Sequence, residues 1–281
     1  MQEDVVVTSE FDSDYLECPV KLVQQQAKGI GFQLWPAATF LCRYLEESIT
    51  GSEHGQLFGL DKPLEQLHCL ELGAGIGLAG LFAAGLGCRT ATLTDLPEVL
   101  PILEKNLDAN PSLADRVFVA PLSWGTDDWR LAHQGRVPDL ILAADCVYWP
   151  ELFAPLEDTL FHLCSQFGAT VLLAHTKRWK RDEKFFSLCR KRLSVQKIHE
   201  VVERSGDCGE PLTVASGGVG GGGDGGGGPF APHGTTAASS ASNEPLSAED
   251  TGKRRVVRRI YQIRRKEVPS PPPEGGSGRV L

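Results

Sequence analysis

Apolar and polar positions change their period along the chain. Residues 1–28 read as a polar lead-in with one short strand at Val5–Val7. In Phe32–Glu47 (FQLWPAATFLCRYLEE), Phe40, Leu41, Tyr44 and Leu45 follow Pro36 at helical spacing. Residues 48–65 form a polar, Gly-containing connection. A regular alternation begins there. Strands are expected at Leu67–Leu72, Thr90–Thr94, Val117–Leu122, Leu140–Ala144 and Thr170–Ala174. Helices are expected at Gly77–Leu86, Pro97–Ala109, Glu151–Phe167 and Asp182–Leu193. Such alternation predicts βαβ units: an α/β fold with a mainly parallel sheet covered on both faces.

The end of the chain breaks the pattern. Val195–Glu203 and Val256–Arg265 both read as strands with no helix between them, which predicts an antiparallel hairpin at the sheet edge. Their connection contains SGGVGGGGDGGGGP, Ser216 to Pro229, followed by a Ser/Ala/Thr-rich tract. That composition buries too little apolar area to offset ordering entropy, so about 205–251 is expected to be a disordered insert. One domain is expected over 29–266, with a disordered Pro/Gly-rich tail at 267–281.

Composition narrows the function classes. The 281 residues are 41% hydrophobic and 23% charged, which suits a soluble globular protein with a sizeable core. A net charge of −8 argues against bulk nucleic-acid binding. No apolar run is long enough to span a membrane, and the acidic N-terminus MQEDVVVTSEFDSD is not a secretory signal. The eight cysteines are scattered without a C-x-x-C pair, so no metal site is expected and a reducing, cytoplasmic compartment is implied. The run KRRVVRRIYQIRRK, Lys253 to Lys266, reads first as a charged edge strand that blocks edge pairing. A nuclear import signal or a patch for an acidic partner is the sharper reading.

Chemistry concentrates at the carboxyl ends of the predicted strands, where open α/β sheets bind ligands. The first parallel strand runs into ELGAGIGLAG, Glu71 to Gly80, whose glycines permit a tight turn and close backbone approach. Asp95 ends the next strand, placed to accept from ribose hydroxyls. A nucleoside-containing cofactor follows. Gly75-x-Gly77-x-x-Gly80 with Asp95 twenty residues on also matches the dinucleotide pattern, so an NAD(P)-dependent oxidoreductase of similar architecture stays open. Glu71 tilts the balance. It begins an acidic-x-Gly-x-Gly-x-Gly pattern, and its carboxylate suits the ammonium and sulfonium of S-adenosyl-L-methionine better than a pyrophosphate. The stretch ILAADCVYWPEL, Ile141 to Leu152, begins as a buried strand and ends in Asp145, Tyr148 and Trp149.

QLWPAA (Gln33–Ala38), LELGAGIGLAGL with TDL (Thr94–Leu96), and ADCVY (Ala144–Tyr148) together resemble the family-16 type of S-adenosylmethionine-dependent protein-lysine methyltransferases, the Asp-x-x-Tyr group. The resemblance covers nearly the whole chain apart from the Gly-rich insert and tail. It implies a class I methyltransferase (Rossmann-like) fold with a seven-stranded sheet and a final antiparallel hairpin. It implies that Trp35 borders the cofactor, that Gly73, Ala74 and Gly75 contact its amino-acid end, and that Asp95 holds the ribose. Trp124 then lies by the adenine, Ala144 presents its backbone, and Asp145 and Tyr148 face the acceptor lysine. The implied partner is a protein substrate, of the kind that family methylates: chaperones, an AAA ATPase or elongation factors. A monomer is expected. A methyltransferase-like binding scaffold is the non-enzymatic alternative. Trp129 and Trp149 read as packing residues, Cys146 as a small buried hydrophobe and His175 as a structural histidine.

Overall fold

A computed structural model describes residues 6–50, 60–204 and 255–266. The expected disordered insert and tail, the strand start at Val5, and Lys253 and Arg254 of the basic run lie outside the described residues, as does most of the connection after the first helix.

The main sheet contains β3 (His68–Leu72), β4 (Thr90–Asp95), β5 (Val117–Pro121), β6 (Leu140–Ala144), β7 (Thr170–Lys177), β8 (Leu193–Arg204) and β9 (Arg255–Arg265). Their spatial order is β5-β4-β3-β6-β7-β9-β8. The first five are parallel, and β9 runs antiparallel to both β7 and β8. Chain order therefore reverses direction at β3 and β6, the switch point where such sheets open a crevice. The expected terminal hairpin is present, with β9 inserted between β7 and β8.

Continuous apolar strands feed two layers. Cys69, Leu140, Leu142, Leu172 and Ala174 face one core, with side chains from helices α1 (Pro36–Thr50), α2 (Leu78–Gly85) and α3 (Leu100–Asp108). Leu70, Leu72, Ile141, Ala143, Val171 and Leu173 face the other, with α4 (Trp129–Ala132), α5 (Phe153–Phe167) and α6 (Glu183–Arg192). Each fully buried Leu contributes about 1.5–3 kcal/mol, so this alternation fixes the register of the strands. Among the described residues, no helix is long and apolar enough to cross a membrane.

Residues 7–24 differ from a polar lead-in. β1 (Val7–Phe11) and β2 (Val20–Gln24) form an antiparallel pair, and Phe11, Val20, Leu22 and Val23 join the first core. Two buried amides on or beside α3 complete β2. Asn106 accepts from Val23 N–H at 2.6 Å and donates to Val23 O at 3.2 Å. Asn110 does the same for Lys21 at 2.9 and 2.8 Å. These side chains satisfy an edge that has no strand beside it among the described residues.

Candidate active site

The carboxyl ends of β3, β4 and β6 meet at one edge, and each ends in a residue that shapes it. After β3, Gly73, Gly75 and Gly77 all adopt positive φ (58°, 56° and 84°). The requirement is steric as well as conformational at Gly73: a Cβ there falls 2.8 Å from Trp124 Cζ2 and 3.1 Å from Cys146 Sγ. Trp124, from the loop after β5, is half-buried directly against the glycine turn. From the other side, the Gly31 carbonyl lies 3.3 Å from where a Cβ on Gly75 would be. The segment just before α1 therefore covers the loop, a contact that the sequence did not signal.

Asp95 ends β4 and grips the loop. Its Oδ2 accepts from Gly75 N–H at 2.8 Å and its Oδ1 from Leu96 N–H at 2.7 Å. Burial pushes its carboxyl up, and these two N–H groups pull it partly back. Each oxygen keeps a second lone pair for a hydroxyl donor. Ala74 is buried within the turn, its N–H held by Thr94 O at 3.0 Å.

Glu71 takes a different position from the one that facing a cationic ligand requires. It is buried beneath the loop, and its Oε2 accepts from Gly80 N–H in the first turn of α2 at 2.8 Å. Burial raises its carboxyl to about 8 despite the N–H groups of Gly80 and Ala79. Glu71 thus ties β3 to α2, and its charge reaches the crevice only through the loop.

β6 ends at half-buried Ala144, and Asp145 follows at φ 59°, left-handed for a non-glycine residue. That conformation costs about 1–2 kcal/mol, less for Asp than for branched residues. It is held by Asp145 N–H donating to Ala174 O at 2.9 Å. The reversal turns Cys146 inward, its Sγ 3.3 Å from Leu72 O, and leaves Tyr148 half-buried with its ring 5.1 Å from that of Trp149. Burial pushes both the Cys146 thiol and the Tyr148 phenol up, so neither ionises near neutrality.

Asp145 does not stand free. Arg178, in the turn after β7, donates to its Oδ1 at 2.8 Å and its Oδ2 at 2.5 Å. The same guanidinium carbon lies 5.5 Å from the Trp35 ring, and Trp35 Nε1 donates to Ile30 O at 2.8 Å. Arg178 N–H and Trp179 N–H donate in turn to Asp182 Oδ2, at 3.3 and 3.0 Å. Buried His175 has its Nε2 3.3 Å from that same oxygen. Burial alone raises the Asp182 carboxyl, but His175 and the two N–H groups outweigh it and hold it low. The geometry gathers Gly73, Ala74, Gly75, Asp95 and Trp124 around one loop. Trp35, Ala144, Asp145 and Tyr148 lie on the neighbouring edge. Nothing in the run TKRWKRD, residues 176–182, singles out Arg178 from its basic neighbours.

Comparison with known proteins gives a consistent result. A family model described as lysine methyltransferase matches residues 16–192. Protein N-lysine methyltransferase METTL21A of Mus musculus is 35% identical over 173 residues, covering 61% of this chain and 72% of that protein. EEF1A lysine methyltransferase 3 of Mus musculus is 34% identical over 180 residues, covering 64% and 69%. Protein-lysine N-methyltransferase EFM6 of Saccharomyces cerevisiae is 32% identical over 183 residues, covering 60% and 73%.

Proposed function

The chain belongs to this lysine methyltransferase family and uses S-adenosyl-L-methionine to methylate lysine side chains of protein, and we propose that the edge bounded by Gly73, Asp95, Trp124 and Asp145 is where it does so. The observation that carries this placement is the convergence of the positive-φ glycine turn, the Asp95 clamp and left-handed Asp145 at the switch point of the sheet. When bound, S-adenosyl-L-methionine supplies an activated methyl group on a cationic sulfur.

The residues fit that molecule. The turn at Gly73–Gly75 carries no side chain at the two positions where the backbone must be approached. Asp95 retains lone pairs for the two ribose hydroxyls, and the Trp124 ring offers an apolar face for the base. With Glu71 mostly protonated near neutrality and Asp145 paired to Arg178, the Asp95 carboxylate supplies the negative charge that favours a cation on the cofactor side.

On the acceptor side, Asp145 accepts an N–H of the incoming amine and Tyr148 packs along the lysine stem, so that the nitrogen lone pair is aimed in line. Such alignment supplies most of the rate in a displacement of this kind. Half-exposed Trp179 and half-buried Trp149 extend an aromatic rim for the flanking peptide. One of the two mouse relatives is an EEF1A lysine methyltransferase, so an elongation factor is the first acceptor we propose, ahead of a chaperone or an AAA ATPase.

The test is incubation with tritiated S-adenosyl-L-methionine and extract from cells lacking the protein, followed by mass spectrometry of the labelled band. Methyl-lysine on a discrete protein, lost about 100-fold or more in Asp145→Ala with S-adenosylhomocysteine affinity retained, is the expected result. Label on a residue other than lysine, or full activity of Asp145→Ala, refutes the placement.

A further inference from the structure

A methyl acceptor must be a neutral amine, and an isolated lysine with a pKa near 10.4 is about one part in a thousand neutral at physiological pH. An unpaired carboxylate within 4–6 Å makes this worse, raising an amine's pKa by roughly 1–3 pH units. A lone Asp145 facing the acceptor therefore orients the nucleophile and disarms it together. The structure resolves this conflict through Arg178, which meets both Asp145 oxygens in a bidentate pair. The pair is built in. Asp145 is 7% exposed, and Arg178 is fixed from three directions by Asp145, the Trp35 ring and the hold of Asp182 on its backbone N–H.

Building on the function proposed above, we propose that Arg178 is a positioning residue that sets the protonation of the acceptor lysine. By cancelling the charge of Asp145, it presents the amine with an acceptor oxygen but no net negative field. Oδ1 also accepts from Thr176 N–H at 3.4 Å, whereas Oδ2 keeps a lone pair beyond its bond to Arg178, so Oδ2 can take an amine N–H without favouring the ammonium form.

The other charged and titratable groups around this spot leave Arg178 as the one cation on Asp145 among the described residues. Asp182 and His175 pair with each other behind the turn. Lys177 ends β7; across from Thr176 and His175 on β9, Arg258 pairs with Glu203, and Arg259 with Glu200 and Glu183. Asp95 is engaged by backbone N–H groups, and Cys146 and Tyr148 remain protonated. Glu71 titrates at about 8 and adds a limb common to every variant, so differences between variants isolate the acceptor amine.

The experiment is single-turnover methyl transfer from tritiated S-adenosyl-L-methionine, with saturating enzyme in excess over acceptor in extract from cells lacking the protein. The rate constant is read from pH 6.5 to 10, because under these conditions its acid limb reports the enzyme-bound amine. Arg178→Gln should move that limb up by about one pH unit, as a bare carboxylate does. Asp145→Asn, which leaves Arg178 uncompensated, should move it down, at a lower plateau. Arg178→Lys should keep the wild-type position within a few tenths. Shifts in the same direction for the first two variants overturn the inference, and so does an unmoved limb in variants that retain S-adenosylhomocysteine affinity. If Arg178→Gln does not fold, Asp145→Asn decides alone: its limb must move down. A wild type that labels no lysine sinks the functional reading and this inference with it. A wild type that labels lysine, with unmoved variant limbs, sinks this inference only.

Discussion

Replacing Glu71 with Gln tests the electrostatics under the glycine loop. Glu71 is buried, accepts from Gly80 N–H, and has its carboxyl pushed by burial from an ordinary 4.5 to about 8. A carboxyl raised by folding binds its proton more tightly in the folded chain. Its stabilising contribution is therefore full below about pH 4.5 and is lost as the pH rises through 8. At about 1.36 kcal/mol for each pH unit of the gap, the whole loss approaches 5 kcal/mol, of which roughly 4 falls between pH 5 and pH 9. Gln keeps the shape, and its amide oxygen still accepts from Gly80, but it has nothing to titrate. The stability of Glu71→Gln relative to wild type should therefore climb by roughly 4 kcal/mol across that span. Urea unfolding of both proteins without cofactor, at half-unit pH steps, gives the difference directly, and every other titrating group cancels from it. A difference flat to within about 1 kcal/mol from pH 5 to 9 refutes the raised carboxyl and its place beneath the loop.

Three further outcomes follow from the same geometry. Gly73→Ala adds a Cβ 2.8 Å from Trp124 at a φ of 58°, so it should displace that ring and weaken S-adenosylhomocysteine binding at least tenfold by calorimetry; unchanged affinity refutes the contact. Asp95→Ala removes the acceptor for Gly75 N–H and the ribose partners, which should cost about 1.5–3 kcal/mol of S-adenosylhomocysteine affinity; a loss under threefold places the ribose elsewhere. Asp182→Ala strands the Arg178 and Trp179 N–H groups beside buried His175, and should lower unfolding free energy by about 3 kcal/mol with a loss of methyl transfer. A variant within about 0.5 kcal/mol of wild type in urea shows that the turn does not depend on it.

The parallel core was legible because strands buried on both faces read as unbroken apolar runs, as in Leu140–Ala144. The glycine loop, Asp95 and Asp145 were legible because turn chemistry and strand ends are local. What escaped depends on partners distant in the chain. β2 carries Lys and Gln among its valines, and it becomes a strand with a satisfied edge only because Asn106 and Asn110 arrive more than eighty residues later. Arg178 looked like any other cation in a basic turn, since its partner lies 33 residues earlier in the sequence. Glu71 was legible as an acid at the right place, but not in its orientation. Strand alternation puts it on the α2 face, where the helix N–H groups claim it.

The order β7-β9-β8 has a consequence for biosynthesis. The strand that completes the pairing of β7 lies after β8 in the chain, so a ribosome has translated all five parallel strands before it reaches Arg255. Until then the hydrogen-bonding edge of Val171–Lys177, buried in the finished protein, is open to any extended chain nearby. Nascent chains halted before residue 255 therefore display an adhesive, sequence-matched template. Quality control of this enzyme should hinge on the interval between the emergence of β7 and the arrival of β9.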